Sequence, residues 1–320
     1  MEKNVFLKLC IICAIVMLCV CQDVPQSPGT VNGSNDPIDP FQPNLYKDKK
    51  PHTFSVIGED NEPSVSCNGI IAFSSSMHSV NPHIYAKPIA GTSVTQKTNG
   101  PSSDIQPAFS PDGKKIAFAS DRNGNWDIFI INADNPNTIW QVTSSDADEL
   151  HPSWSPDGSM LVYCAKSSNE NWDLWIVELQ AKSFTNLGPG LFPEWCPVKD
   201  SKKILFQKPL GRDGHQFALW TVDTDGNNLT EIISSAIYAS TNPSWSPDGK
   251  WIAFTMVPVD SAKSTNMDIH IISIDGIGMV PLIDSPDPEW HPSWAPDGRI
   301  YYITKKEGKQ NVWSVQPDLP

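Results

Sequence analysis

The sequence predicts an all-β chain, a six-bladed β-propeller of four-stranded blades. Three observations carry that reading. A unit built around Pro-Ser-Trp-Ser-Pro-Asp-Gly or a variant of it recurs six times. Its leading prolines, Pro63, Pro107, Pro152, Pro193, Pro243 and Pro292, fall 41 to 50 residues apart, the length of one blade. The stretches between turns are short, β-branched and aromatic, without helical period. At 320 residues the chain could hold two average domains or one large closed β architecture, and the repeat decides for the second.

Four copies are clear. They run from Gln106 to Gly113, His151 to Gly158, Asn242 to Gly249 and His291 to Gly298, and are followed by Ile116-Ala117-Phe118, Leu161-Val162-Tyr163, Ile252-Ala253-Phe254 and Ile300-Tyr301-Tyr302. Two weaker copies lead from Pro63 into Ile70-Ile71-Ala72-Phe73 and from Pro193 into Ile204-Leu205-Phe206. In Ser-Pro-Asp-Gly the proline pre-sets φ, the aspartate can bond its own backbone, and the glycine accepts a positive φ at the exit, which makes a hairpin turn. The aromatic before the turn and the β-rich run after it are then the first two strands. Third strands follow at residues 126–131, 172–177, 219–222, 268–272 and 312–315, and fourth strands are seen at 140–143 and 184–187. The last unit stops after its third strand. Thr53-Phe54-Ser55-Val56-Ile57, which belongs to no unit, is expected to supply the missing strand, close the ring and cover an edge that would otherwise invite aggregation.

The repeated Pro-Ser-Trp-Ser-Pro-Asp-Gly-Lys and the run Ser120-Asp121-Arg122-Asn123-Gly124-Asn125-Trp126-Asp127-Ile128 resemble the WD40-like (PD40) repeats of the TolB-type propeller family, over residues 52 to 320. The resemblance implies the fold and a cell-envelope setting. The namesake of that family is a periplasmic component of an envelope-maintenance complex with an additional N-terminal α/β domain, whereas here only a tether is expected before the propeller. The same repeats occur in propellers of peptidases and of a metal-dependent pectate-type lyase, so they do not fix a function.

Residues 1–21 read as a secretory signal: Lys3 and Lys8 precede an unbroken apolar stretch from Leu9 to Val20, too short to span a bilayer. Its end, Leu18-Cys19-Val20-Cys21-Gln22, fits either ordinary cleavage or a lipoprotein box that would anchor the chain by lipid on Cys21, with Val20 where Gly, Ala or Ser is usual. Export follows, to a periplasmic, envelope-anchored or secreted location. Residues 22–50, rich in Pro, Asn, Asp, Ser and Gly, hold too few large apolar groups to offset their ordering entropy and are expected to be a disordered tether, leaving 51–320 for the propeller. Four of the seven cysteines lie in the signal; Cys67, Cys164 and Cys196 form neither a disulfide framework nor a zinc spacing. The net charge of -13 and the absence of a basic run argue against a nucleic-acid partner. No motif calls for a cofactor, and the chain is expected to be a monomer.

A residue needed in every blade is structural. That applies to Asp112, Asp157, Asp248 and Asp297 in the turns and to Asp127, Asp173 and Asp268 opening the third strands. Positions that break the repeat are better candidates for binding, above all those just before the leading proline, where the innermost strand enters at the mouth of the central channel: Gln106, His151, Phe192, Asn242 and His291. Glu149 and Glu289 stand two residues before the histidines and are expected to converge on the same mouth. The longest connections between second and third strands, carrying Arg212 and His215 in blade four and Lys263 in blade five, belong on that face, and loops on a rigid scaffold carry function. No nucleophile elbow occurs, so no catalytic residue is assigned. The leading expectation is a non-enzymatic module that binds an envelope or extracellular protein. The rival is a metal-dependent carbohydrate-active enzyme using the His and Glu pairs.

Overall fold

The computed structural model describes residues 45–167, 171–210, 216–259, 267–283 and 285–319. It begins with an isolated strand, β1 (Tyr46–Pro51). Blade one then holds β2 (Asp60–Val65), β3 (Ile70–Ser75), β4 (His83–Pro88) and β5 (Thr95–Gln96). Blade two holds β6 (Asp104–Phe109), β7 (Lys115–Ser120), β8 (Asp127–Asn132) and β9 (Ile139–Gln141). Blade three holds β10 (Glu149–Trp154), β11 (Met160–Lys166), β12 (Trp172–Glu178) and β13 (Ser183–Pro189), and blade four β14 (Leu191–Trp195), β15 (Lys203–Pro209), β16 (Phe217–Asp223) and β17 (Thr230–Ile233). Blade five holds β18 (Tyr238–Trp245), β19 (Trp251–Pro258), β20 (Asp268–Ser273) and β21 (Val280–Ile283). Blade six has only three strands of its own, β22 (Glu289–Trp294), β23 (Ile300–Lys306) and β24 (Lys309–Pro317), and β1 pairs antiparallel to β24 as its fourth. The architecture is the expected six-bladed propeller, all antiparallel, closed by an N-terminal strand.

The second strand of each blade is buried on both faces, which is why it reads as a continuous apolar run instead of an alternating one. Ile71, Ala72 and Phe73, Ile116 to Ala119, Ile252 to Phe254 and Ile300 to Ile303 are all fully buried. Outer strands such as β5 and β13 are mostly exposed. The repeated aromatics seal the blade seams. Trp154 and Trp245 are 6% and 1% exposed, and their indole N–H groups donate across to the preceding blade, to Ala108 O at 2.9 Å and Glu194 O at 3.2 Å.

The turn aspartates do the structural work expected of them. Ser110 Oγ and Lys114 N both donate to Asp112 Oδ1 (2.7 and 3.1 Å), Lys115 N donates back to Ser110 Oγ, and Gly113 takes φ +70°. Asp157 and Asp248 repeat the arrangement. The hydroxyl and backbone donors hold all three carboxyls below the ordinary aspartate range.

The closing strand is not residues 53–57, as expected, but Tyr46–Pro51, whose first five residues had been given to the tether. Phe54, Val56 and Ile57 are exposed. An outermost strand needs main-chain pairing more than burial, and a charged edge resists unwanted pairing, so Tyr-Lys-Asp-Lys-Lys-Pro serves better than an apolar run. Arg299 fastens it with a fork onto Asp48 Oδ2 (2.9 Å) and Ser314 Oγ (2.9 Å). His52 and Thr53 still contribute, since both backbone N–H groups donate to Val312 O and Val312 N donates to Thr53 Oγ1.

Two outcomes are expected. A chain beginning at Leu45 should melt several degrees above one beginning at His52, and equal thermal midpoints would mean that β1 does not close the ring. Replacing Trp245 with Ala should cost about 3–5 kcal/mol, read by denaturant unfolding.

Candidate functional site

Every innermost strand carries the same defect at the same place. The pairing of first and second strands slips by one residue between Asn61 and Ser64, Ile105 and Ala108, Leu150 and Ser153, Leu191 and Glu194, Thr241 and Ser244, and Trp290 and Ser293. In each slip one non-glycine residue adopts a left-handed conformation: Glu62, Gln106, His151, Phe192, Asn242 and His291, with φ between +50° and +56°. A bulge of this kind re-aims a side chain, and left-handed backbone at a non-glycine residue costs roughly 1 kcal/mol or more. The proline that follows has a fixed φ and no N–H to leave unpaired. Together the six residues and the six prolines behind them line the central channel, a cavity of about 190 Å³.

The six backbone N–H groups freed by the bulges need partners, and the mouth side chains supply some of them from blade to blade. Gln106 N donates to Glu62 Oε2 and His151 N donates to Gln106 Oε1, both at 2.9 Å. Asn242 N donates to Gln207 Oε1 at 2.9 Å, because Phe192 in the preceding blade has no acceptor. Since Gln106 uses its oxygen on His151 N–H, its amide nitrogen faces His151 Nε2 at 2.9 Å as a donor. His151 Nε2 is therefore the acceptor, and its ring proton sits on Nδ1. The Phe192 ring lies 3.7 Å, centroid to centroid, from His151 and 6.3 Å from His291. It fills the space between the histidines of the two opposed blades.

A second belt lies one residue further on. Phe109 N, Trp195 N and Trp294 N donate to the hydroxyls of Ser64, Ser153 and Ser244 in the preceding blades. In blade four Glu194 stands where the serine is expected, and its Oε2 accepts Trp245 N at 2.8 Å while Oε1 accepts from Ser244 Oγ.

Burial disfavours charge in the channel. Burial holds the His151 imidazole well below its ordinary range, helped by the neighbouring His291, and holds His291 down to about 4. Burial raises the Glu62 carboxyl and pushes Glu194 up to about 8. At neutral pH both imidazoles are free bases and Glu194 keeps its proton. Among the described residues no group of three or more His, Cys, Asp or Glu is placed to hold a metal ion, and the His151 Nε2 lone pair is already taken by Gln106.

Of the expected site residues, Gln106, His151, Asn242 and His291 come together on the channel. Glu149 and Glu289 do not join them. They are 3% and 0% exposed, turned into the seams between blades, and bonded by Ser145 Oγ and Ser285 Oγ at 2.6 Å. The bulge is the reason. Two positions apart on a regular strand means one face, but the left-handed residue rotates the histidine away. Arg212, His215 and Lys263 lie outside the described residues. Two channel residues were overlooked. Glu62 completes the ring from the weakest copy of the repeat, where the residue before Pro63 was the available signal, and Glu194 was marked by replacing the repeated serine.

Comparison with known proteins gives a match of residues 44–236 to the family described as the TolB beta propeller domain. A stretch of 105 residues is 32% identical to a tricorn-like protease C-terminal subunit from Sulfurisphaera tokodaii, covering 32% of this chain and 11% of that protein. A solved structure described as TolB from Agrobacterium tumefaciens superposes with TM-score 0.62 at 21% identity, covering 80% of this chain and 90% of that one. An oligogalacturonate lyase from Vibrio parahaemolyticus superposes with TM-score 0.57 at 13% identity, covering 84% and 93%. Such identities carry the fold, and neighbours that include an enzyme leave the activity open.

The buried histidines give a pH dependence of definite sign. A histidine whose folded pKa is lowered leaves the unfolded chain binding the extra proton, so stability falls as pH drops from about 6.5 toward 4. The variant His291→Gln should lose less thermal stability than wild type between pH 7 and pH 4.5. Parallel losses would show that His291 is not held neutral.

Proposed function

The chain belongs to the TolB β-propeller domain family, and from that premise we propose that it is an exported, non-enzymatic propeller that holds an envelope or extracellular protein against its channel-mouth face. One observation carries this reading. The backbone of the mouth is repeated six times without change, down to the left-handed residue, while the side chains placed there are Glu, Gln, His, Phe, Asn and His. A fold that keeps a costly backbone constant and varies only what it displays is arranged for one asymmetric contact. Neutral amides, neutral imidazoles and an aromatic ring in a narrow channel suit the insertion of a partner side chain.

The carboxyls that glycoside or lyase chemistry would use are otherwise engaged. Glu149 and Glu289 lie in blade seams, and Glu62 and Glu194 accept backbone N–H groups of neighbouring blades. The apolar stretch of residues 9–20 supports export.

The test is capture from native envelope extracts with the propeller as bait, with circular dichroism as the folding control. His151→Ala with His291→Ala should abolish capture. Arg212→Glu with Lys263→Glu should weaken it in a salt-dependent way, since rim charges act mainly on association rate. Wild-type capture by both double variants would overturn the reading. A stoichiometric divalent metal in the purified protein, lost in the histidine double variant, would favour the metal-dependent enzyme instead.

A further inference from the structure

Four of the six innermost strands carry a buried acid two residues before the mouth residue: Asp60, Asp104, Glu149 and Glu289. Their surroundings differ. Asp104 has the Arg122 guanidinium, Nη2 at 2.7 Å, and the His83 ring, Nδ1 at 3.3 Å. Glu289 has Lys49 Nζ of the closing strand at 3.7 Å, set against the charges of Asp268 and Asp287. Asp60 accepts the hydroxyls of Ser55 and Ser75 at 2.7 and 2.6 Å. Glu149 is met by a second acid, Asp127, from the start of β8 in the preceding blade: Glu149 N donates to Trp126 O at 2.7 Å, which sets the two carboxyls in the same seam, where each acts on the other.

Asp127 is 1% exposed and Glu149 3%. Gln141 Nε2 donates to Asp127 Oδ2 at 3.1 Å and Ser145 Oγ to Glu149 Oε1 at 2.6 Å. The remaining oxygens, Asp127 Oδ1 and Glu149 Oε2, are buried without a hydrogen-bond partner. Two carboxylates cannot both stay ionised in such a place, and one proton donated by one carboxyl and accepted by the other satisfies both orphan oxygens. We propose that Asp127 and Glu149 are a proton-operated clasp between blades two and three, closed while they share one proton and loosened when it leaves.

The groups around the pair leave the proton without a substitute. Tyr163 faces it from β11, and its hydroxyl is pushed up by burial and by Glu149. Asp148 acts on it from the connection before β10, with the uncharged side chains of Asn123, Gln141 and Thr143 from the other connections and β9. No lysine, arginine or histidine among the described residues pairs with either acid, so the charged neighbours are negative. Burial, with the Asp148 charge beside it, raises Asp127, and burial together with Asp127 pushes Glu149 up to about 7. A carboxyl raised in the folded state contributes stability below its unfolded pKa that is lost as pH rises through the folded one. The window therefore runs from about 4.5 to 7. Glu149 and His151 share β10, so the clasp acts on the strand that presents a mouth residue.

The experiment is thermal unfolding of the full chain, wild type against Glu149→Gln and Asp127→Asn, at pH 5 to 8.5. Glutamine mimics the protonated acid, so the variants should match wild type at pH 5 and exceed it by roughly 2–4 °C at pH 8, the shift expected of about 1 kcal/mol in a protein this size. A constant offset across pH overturns the proposal. So does a rise in the wild-type midpoint on adding Mg²⁺ or Ca²⁺ at pH 8 that both variants lack, because the pair would then be a cation site. If neither variant folds, native-state hydrogen exchange of wild type decides: after correction for intrinsic rates, amides of β8 and β10 should lose protection from pH 5 to 8 more than those of β4 and β6. Equal loss overturns the clasp.

Discussion

No blade of this propeller can bury its own faces. The second strand of each sheet is apolar on both sides, and each side is covered only by a neighbouring blade, so the six sheets are stable as a ring or not at all. Everything then depends on the last seam being closed. The chain closes it with its least hydrophobic strand, β1, through main-chain pairing to β24, the Arg299 fork on Asp48 and Ser314, and Lys49 set over the Tyr302 and Trp313 rings. Pairing the two ends of the described chain in one sheet makes the closure non-local, so it ties the first blade to the last without asking the rim to be apolar.

Ring closure also dictates what happens at the centre. Six innermost strands converge on a narrow channel, where regular strands would leave main-chain donors facing a space too small for free solvation. The bulge turns one side chain per blade inward and hands the freed N–H to an acceptor next door: Glu62 serves Gln106, Gln106 serves His151, and Gln207 serves Asn242. The acceptor is needed, but its identity is not fixed, as carboxylate and amide both serve. That freedom separates the chemistry displayed at the mouth from the demands of the fold, and it explains how one backbone can host unrelated activities among structural neighbours.

What was legible in the sequence follows from this division. The blade unit recurs six times and its hairpin turn and seam tryptophan four times each, so repetition exposes them. The closing strand was misplaced because an edge strand held by main-chain bonds has no burial pattern to read, while the apolar run at residues 53–57 looks like a strand and is exposed instead. Glu62 was hidden because its copy lacks both the tryptophan and the proline-aspartate turn, having Val65 and Ser66-Cys67-Asn68-Gly69 in their place. Glu149 and Glu289 were assigned to the wrong side because a period of two holds only on a regular strand, and the register slip between Leu150 and Ser153, or Trp290 and Ser293, falls just after them.

The same slip sorts the titratable groups of the centre into two populations with opposite linkage. Of the acids before the bulge, Asp60, Glu149 and Glu289 are raised by burial, the last two to about 7, as is Glu194 beyond it to about 8, while at Asp104 the donors and Arg122 outweigh burial and lower the carboxyl. The raised acids favour the folded ring at low pH, a contribution lost as pH rises from about 4.5 through 7 and, for Glu194, through 8. The histidines at the bulge are lowered and cost stability as pH falls below about 6.5. The two populations act over overlapping ranges with opposite sign, so the loss from the acids as pH rises is offset by the gain from the histidines. At neutral pH the imidazoles are free bases and Glu194 keeps its proton, while Asp104 is paired with Arg122.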